Sequence, residues 1–199
     1  MKREIKPEMV AFIDKKLEGN ALAKIAIETK NARLLFRLAI EACVGIREAT
    51  GKNDGKMVEL IQETVGGASG EPWCMGLQQT GLAYAEQKCD VVSLIPASEL
   101  CSYVWANTPK FMRVKKIPGP GALAIWGDLD SKGRLKASGH VEMVTAYYED
   151  GTFDAIGGNT SGTTKPGQEV NRDGNACVYT KRTIKPSVKR KLLGFLKPF

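Results

Sequence analysis

The spacing of apolar residues along this chain changes period once, at Pro118-Gly119-Pro120-Gly121, and that single change limits the folds open to it. Before it, apolar residues recur at helical intervals. Pro7 suits a first helical turn and is followed by Met9, Val10, Phe12, Ile13 and Leu17, with Gly19 as a stop. A second amphipathic stretch runs from about Ala21 to Arg47, with Asn31 able to break it in two. Met57, Leu60, Ile61 and Val65 mark a short helix ahead of Gly66-Gly67. Residues 74–88 and 98–106 continue the helical pattern, the latter with Ser98 as its expected cap. After the Pro-Gly cluster the alternation becomes that of strands, over 122–126, 140–148, 152–156 and 176–183, separated by turn residues as in an antiparallel meander. Helices first and strands afterwards predict an α+β domain, its N-terminal helices packed on an antiparallel β-sheet.

The length of 199 residues suits one domain, and a chain of this size buries roughly 70% of its unfolded surface, enough for a core without disulfide staples. The expected divisions are an integral N-terminal helical region over 1–54, a core over 55–185 and a basic tail over 186–199. Charge is concentrated at the end. Val178–Phe199 holds Lys181, Arg182, Lys185, Lys189, Arg190, Lys191 and Lys197 with no acidic residue, which accounts for the whole net charge of +7. Such a patch favours an anionic wall polymer or lipid surface, or else is a solvated end. Few aromatics accompany it, so nucleic acid is not an expected partner. Five cysteines without a CxxC spacing argue against a disulfide framework and for a reducing compartment during folding. The first twenty residues lack the apolar core of a signal peptide, and no apolar run is long enough to span a bilayer. The expectation is a monomer made in a cytoplasm, with no metal or organic cofactor.

Three short patterns carry chemistry. Glu71-Pro72-Trp73-Cys74-Met75-Gly76-Leu77 places a cysteine where a turn becomes a helix. There, free backbone N–H groups and the positive dipole end stabilise a thiolate and a developing oxyanion. Taken singly, a free cysteine is more often a packing residue, and Cys43, Cys89 and Cys101 are read that way. Ser138-Gly139-His140-Val141-Glu142-Met143-Val144 sets His140, Glu142 and Val144 on one strand face. His140 is the only histidine, so any imidazole chemistry near neutral pH must use it. Ile156-Gly157-Gly158-Asn159-Thr160-Ser161-Gly162 ends the following strand, and hairpin pairing through the 149–151 turn would return Asn159 to the side of His140.

Taken in order, PWC at a helix start, PGALAIWG, GHVEMV and IGGNTSG resemble the CHAP and NlpC/P60 group of papain-like peptidoglycan amidases and endopeptidases, over roughly residues 55–183. The resemblance implies a papain-like fold, Cys74 as nucleophile, His140 as general base and then acid, and Asn159 as the residue orienting the imidazole. The chain departs from the pattern at three places. Ala122 stands where an acidic residue often follows the Pro-Gly, and Gly157 where some relatives carry an acid. Glu142 occupies a position usually filled by a small residue, which makes it the alternative third member.

The function this implies is hydrolysis of an amide bond in cell-wall stem peptides through a thioester, as in a phage endolysin acting on bacterial peptidoglycan after release from the host cytoplasm. The alternatives are an antibacterial amidase effector delivered by a contact-dependent secretion system, or a non-catalytic basic module binding wall or nucleic acid.

Overall fold

Two asparagines divide the N-terminal amphipathic run. In the computed structural model, which describes residues 3–114, 119–163, 171–187 and 189–199 (backbone alone for 171–173), helix α1 spans Pro7–Lys16, α2 Ala21–Glu28 and α3 Ala32–Ala42. The Asn20 side chain accepts from the Leu22 and Ala23 N–H groups at 3.0 and 3.1 Å, and Asn31 accepts from the Leu34 N–H at 3.1 Å. Each cap supplies acceptors for N–H groups the helix itself leaves unpaired, worth about 1 kcal/mol. Helices α4 (Lys56–Glu63), α5 (Cys74–Cys89) and α6 (Cys101–Asn107) complete the helical layer. The last begins later than Ser98 predicts. Leu100 is extended at φ −86°, ψ 111°, so Ser98 Oγ instead accepts from the Leu100 N–H at 3.1 Å in a local turn. Pro118 of the Pro-Gly cluster lies outside the described residues.

Helix α5 is enclosed. Every side chain from Cys74 to Ala85 is buried, and the helix packs on α3 and against the sheet. Its polar residues therefore need internal partners. Gln79 Nε2 donates to the Pro96 carbonyl at 2.9 Å, Thr80 Oγ1 to the Gly76 carbonyl at 2.9 Å, and Gln78 Nε2 to the Ile156 carbonyl of the sheet at 3.3 Å.

The sheet contains β1 (Arg113–Val114), β2 (Leu123–Leu129), β3 (Leu135–Tyr147), β4 (Thr152–Gly162), β5 (Asn171–Thr183) and β6 (Arg190–Leu196). Its order is β1-β6-β2-β3-β4-β5, with antiparallel pairing between neighbours. The protein is thus an α+β fold of six α-helices on a six-stranded antiparallel sheet among the described residues. The predicted meander is β2 to β5. The segment 186–199, read from its charges as a tail, instead supplies β6, hydrogen-bonded between β1 and β2 with Phe195 and Leu196 in the core. Its lysines and arginines obscure this in the sequence because the apolar residues crowd into Leu192, Leu193, Phe195 and Leu196, a pattern interrupted by Gly194 at a register shift.

The N-terminal region shares this core. Ile46 and Cys43 pack with residues of α5 and the sheet. Gly45 donates to the Cys177 carbonyl at 2.9 Å, and Cys177 in turn donates to the Ile46 carbonyl at 2.8 Å, tying the segment after α3 to β5. All five cysteines are free and buried. Among the described residues, no helix is long and apolar enough to cross a membrane, and no cluster of His, Cys, Asp and Glu has the makings of a metal site.

Candidate active site

Cys74 is the first residue of α5, and no side chain caps that helix end. Its opening N–H groups accordingly have no acceptor within the helix, and the dipole places partial positive charge beside the sulfur. The strand below is β3. His140 pairs with Trp126 of β2, and its ring lies beside the Cys74 sulfur. The Cys101 thiol, the His140 ring and the Val141 N–H lie close enough to the Cys74 sulfur to act on it electrostatically. These three donors, led by Cys101, hold the Cys74 thiol well below its ordinary range against the opposing effect of burial. Cys101, the first residue of α6, keeps its proton as the donor and is pushed well above the usual thiol range.

Burial alone would lower the pKa of His140, but Cys74 and Glu142 on either side of the ring raise it to about 9. Glu142 Oε1 lies 3.4 Å from His140 Nε2, an ion-pair distance, and that buried nitrogen makes no hydrogen bond of ordinary geometry. Glu142 is itself fully buried. Arg182 of β5 clamps it, Nε donating to Oε2 at 2.8 Å and Nη2 to Oε1 at 2.7 Å, while Thr180 Oγ1 donates to Oε1 at 3.1 Å. Desolvation by burial would raise its pKa, but His140 and Arg182 together hold it far below the usual carboxylate range. The result is a row of groups that favour alternating charge, running from Cys74 through His140 and the buried Glu142 to the half-buried Arg182.

The structure brings Cys74, His140 and Glu142 together and places Asn159 elsewhere. The β3–β4 pairing ends in register at Met143 and Ile156. Asn159 then takes the left-handed conformation at φ 54°, which turns its side chain off the expected course. Its amide donates to Glu48 Oε1 at 2.9 Å and to Asn53 Oδ1. The same Glu48 oxygen accepts from Trp73 Nε1 at 2.9 Å. Asn159 therefore braces the turn leading into Cys74, and the groups acting on the imidazole are Cys74 and Glu142.

The two glycines before Asn159 explain how Glu142 gains its place. A Cβ on Gly157 would lie 2.8 Å from Glu142 Cγ, and one on Gly158 would lie 2.6 Å from the Trp73 ring. A side chain at 157 and a carboxylate at 142 compete for one volume. The chain has the carboxylate at 142 and no side chain at 157, where the resemblance would have put an acid in some relatives.

Sequence reading missed Arg182, Thr180, Cys101 and Glu48. A signal existed for the first two: Glu142 is a lone charge in an apolar strand, which requires a buried cation, and Thr180 and Arg182 alternate onto one face of the neighbouring run. Cys101 gave no such sign, because its contact with Cys74 depends on where α6 begins.

Beside His140 opens a hollow of about 290 Å³, lined by Trp126, His140, Arg182, Arg190 and the exposed Lys181 and Lys185 among others. A larger one of about 760 Å³ near Arg3 and Glu86 contains neither the thiol nor the imidazole. Cys74 and His140 keep only 4% and 5% of their surfaces exposed. Compared with protein-family models, curated proteins and solved structures, the chain matches none.

Proposed function

We propose that the chain is a cysteine amide hydrolase of papain-like arrangement acting on stem peptides of bacterial peptidoglycan. The reading rests on one observation: the thiol at the head of α5 touches the single histidine, and a clamped carboxylate backs that histidine on its far side. In this mechanism Cys74 is held as a thiolate and attacks the amide carbonyl. The oxygen that gains charge is received by the unpaired N–H groups at the start of α5. With Nε2 facing Glu142, Nδ1 is the nitrogen left to serve the sulfur and the departing amine. His140 gives its proton to the amine nitrogen as the carbon–nitrogen bond breaks, leaving a thioester. It then takes a proton from water, whose oxygen attacks the thioester, releases the acid and returns the sulfur to its starting state.

Glu142 supplies the ring's orientation and favours the imidazolium, while Arg182 keeps the carboxylate ionised and fixed. The substrate class comes from the resemblance of the four motifs and their order. Sacculi digested with the purified protein and read by mass spectrometry test it: new amine and carboxyl termini at one stem-peptide bond are expected, and turnover lower by about 10⁴-fold or more with Cys74→Ala. Full activity in that variant, or intact peptides with the wild type, would overturn the reading. The setting this function fits best is a phage endolysin released onto the wall, with a delivered antibacterial effector as the other form of the same chemistry.

A further inference from the structure

We infer that Cys74 and Cys101 are a redox pair: hydrogen peroxide oxidises Cys74, and Cys101 closes on it as a reversible disulfide that silences the site. Two helix starts are seated on one short stretch of β3. Cys101 opens α6, and a Cβ on Gly139 would lie 3.2 Å from its own Cβ. Ser102 Oγ donates to the Ala137 carbonyl at 2.9 Å, which pins the start of that helix to the strand. Cys74 opens α5, and its sulfur lies beside His140 and the Val141 N–H, two residues further along β3. Two strand residues span about 7 Å, and disulfides join Cα atoms roughly 4.4–6.8 Å apart. Side chains rooted over such neighbouring positions are spaced for the bond, and the two thiols already act on each other. Both belong to one buried cluster, each residue keeping 4% of its surface exposed. Hydrogen peroxide, little larger than water, is the oxidant suited to so closed a site.

The Cys74 thiolate attacks one peroxide oxygen. A sulfur–oxygen bond forms as the oxygen–oxygen bond breaks, and His140 protonates the departing hydroxide to water. Sulfur is thereby oxidised to a sulfenic acid and the peroxide reduced. The Cys101 sulfur then attacks the Cys74 sulfur, and the hydroxyl leaves with the Cys101 proton as a second water. Cys101 is suited to this order of events, because the first of the causes pushing its thiol up is Cys74 itself. A neutral sulfenic acid at Cys74 lifts that influence, so Cys101 ionises more readily once it is needed. The other cysteines stand apart. Burial pushes Cys43 up to about 12 and raises Cys89 and Cys177 as well, which keeps them protonated and inert at neutral pH. The disulfide takes away the nucleophile and spares Cys74 the irreversible sulfinic state. The linkage needs nothing from the hydrolase reading; only its effect on turnover does.

The test treats the full wild-type chain, reduced and then freed of reductant, with hydrogen peroxide and alkylates it under denaturing conditions. Mass spectrometry is expected to find three alkylated cysteines instead of five, and an unreduced digest to give one linked pair of peptides, Cys74 with Cys101. Dithiothreitol should return both thiols and the lost hydrolysis. In Cys101→Ser, taken to full consumption of the Cys74 thiol, the same treatment should leave sulfinic acid and at least about tenfold less recoverable activity. Over-oxidation of Cys74 without a link in the wild type, a link to any other cysteine, or equal recovery in the variant overturns the pair. Linkage in a protein that hydrolyses no wall peptide even when reduced would sink the hydrolase reading and leave the redox pair standing.

Discussion

His140 and Glu142 stand two residues apart on β3, and their Nε2 and Oε1 atoms lie 3.4 Å apart in the core of the molecule. Because the carboxylate is fully buried and clamped by Arg182, its charge acts on the ring through little intervening solvent. Glu142→Gln keeps the shape and removes the charge. We expect kcat/KM to fall by roughly 10²- to 10⁴-fold, since an orienting carboxylate in comparable triads is worth that much. The alkaline limb, set by loss of the imidazolium proton, should also move to lower pH. Asn159→Ala, which loosens the bracing of Trp73 and Glu48, is expected to lower stability without moving that limb. A pH–rate profile of both variants decides between them.

The two thiols make a separate prediction. Cys101 lies beside Cys74 and is the largest influence favouring the Cys74 thiolate. Removing a donor from the charged form disfavours that form. Cys101→Ala should therefore raise the pH at which Cys74 becomes reactive. The rate of alkylation by iodoacetamide, followed against pH with Cys74 identified by peptide mapping, reads this directly. An unchanged midpoint would mean the helix end and His140 suffice.

Protonation also sets a window for stability. The folded His140 titrates at about 9 instead of its ordinary 6.5, so its contribution is complete below 6.5 and is lost as pH rises through about 9. Cys74 is displaced downward from its ordinary 9.0, so its contribution is complete above 9 and is lost as pH falls. Between 6.5 and 9 the folded pair holds one proton on the imidazole, and the unfolded pair holds one on the thiol. The two slopes cancel there. Melting temperature should be level across that interval as far as this pair is concerned and decline below it. Hydrolysis should fall above about 9, where His140 no longer carries the proton for the leaving amine. Cys74→Ala removes the cancellation and should reveal a slope between 6.5 and 9 if His140 retains any of its upward displacement through Glu142.

Ending the chain after Lys185 tests whether the basic segment is a tail. The truncation removes β6 from between β1 and β2 and takes away Phe195 and Leu196, which are 2% and 0% exposed. Each such loss costs about 2–5 kcal/mol, against a total stability of roughly 5–15 kcal/mol. The shortened protein is expected to lack a cooperative thermal transition by circular dichroism. A sharp melt near that of the full chain would show that β6 is dispensable.

What the sequence made legible follows from the range of the interactions concerned. The helices α1 to α5, the meander and the Cys74–His140 pair are signalled by local period, caps and the singularity of one histidine. Asn159 was placed beside His140 by extending strand register one turn too far, and only its positive φ, invisible in the residue types, sends it to Glu48. β6 was hidden because its exposed face is basic and its partners lie 62 to 83 residues away in the chain. The papain-like assignment drew on motif order, and what the structure adds to it is an α+β frame in which those motifs meet.

The last prediction moves the carboxylate from one strand to its neighbour. A Cβ at Gly157 falls 2.8 Å from Glu142 Cγ, so Gly157→Ala alone should displace Glu142, costing about 1–3 kcal/mol of stability and lowering turnover as the ring loses its backing. Gly157 has no positive φ, so the backbone itself accepts a side chain. Combining Glu142→Ala with Gly157→Asp vacates the volume and refills it from β4 with a shorter acid, still within reach of Arg182. The double variant is expected to be more active than either single one, by a coupling of roughly 1–3 kcal/mol in the cycle. Activity measured on a purified stem peptide, with Arg182→Ala added as a control that should cancel the rescue, checks the argument. If the double variant is no better than the product of the singles, the two positions do not share one carboxylate site, and Glu142 acts on His140 from β3 in a way that β4 cannot reproduce.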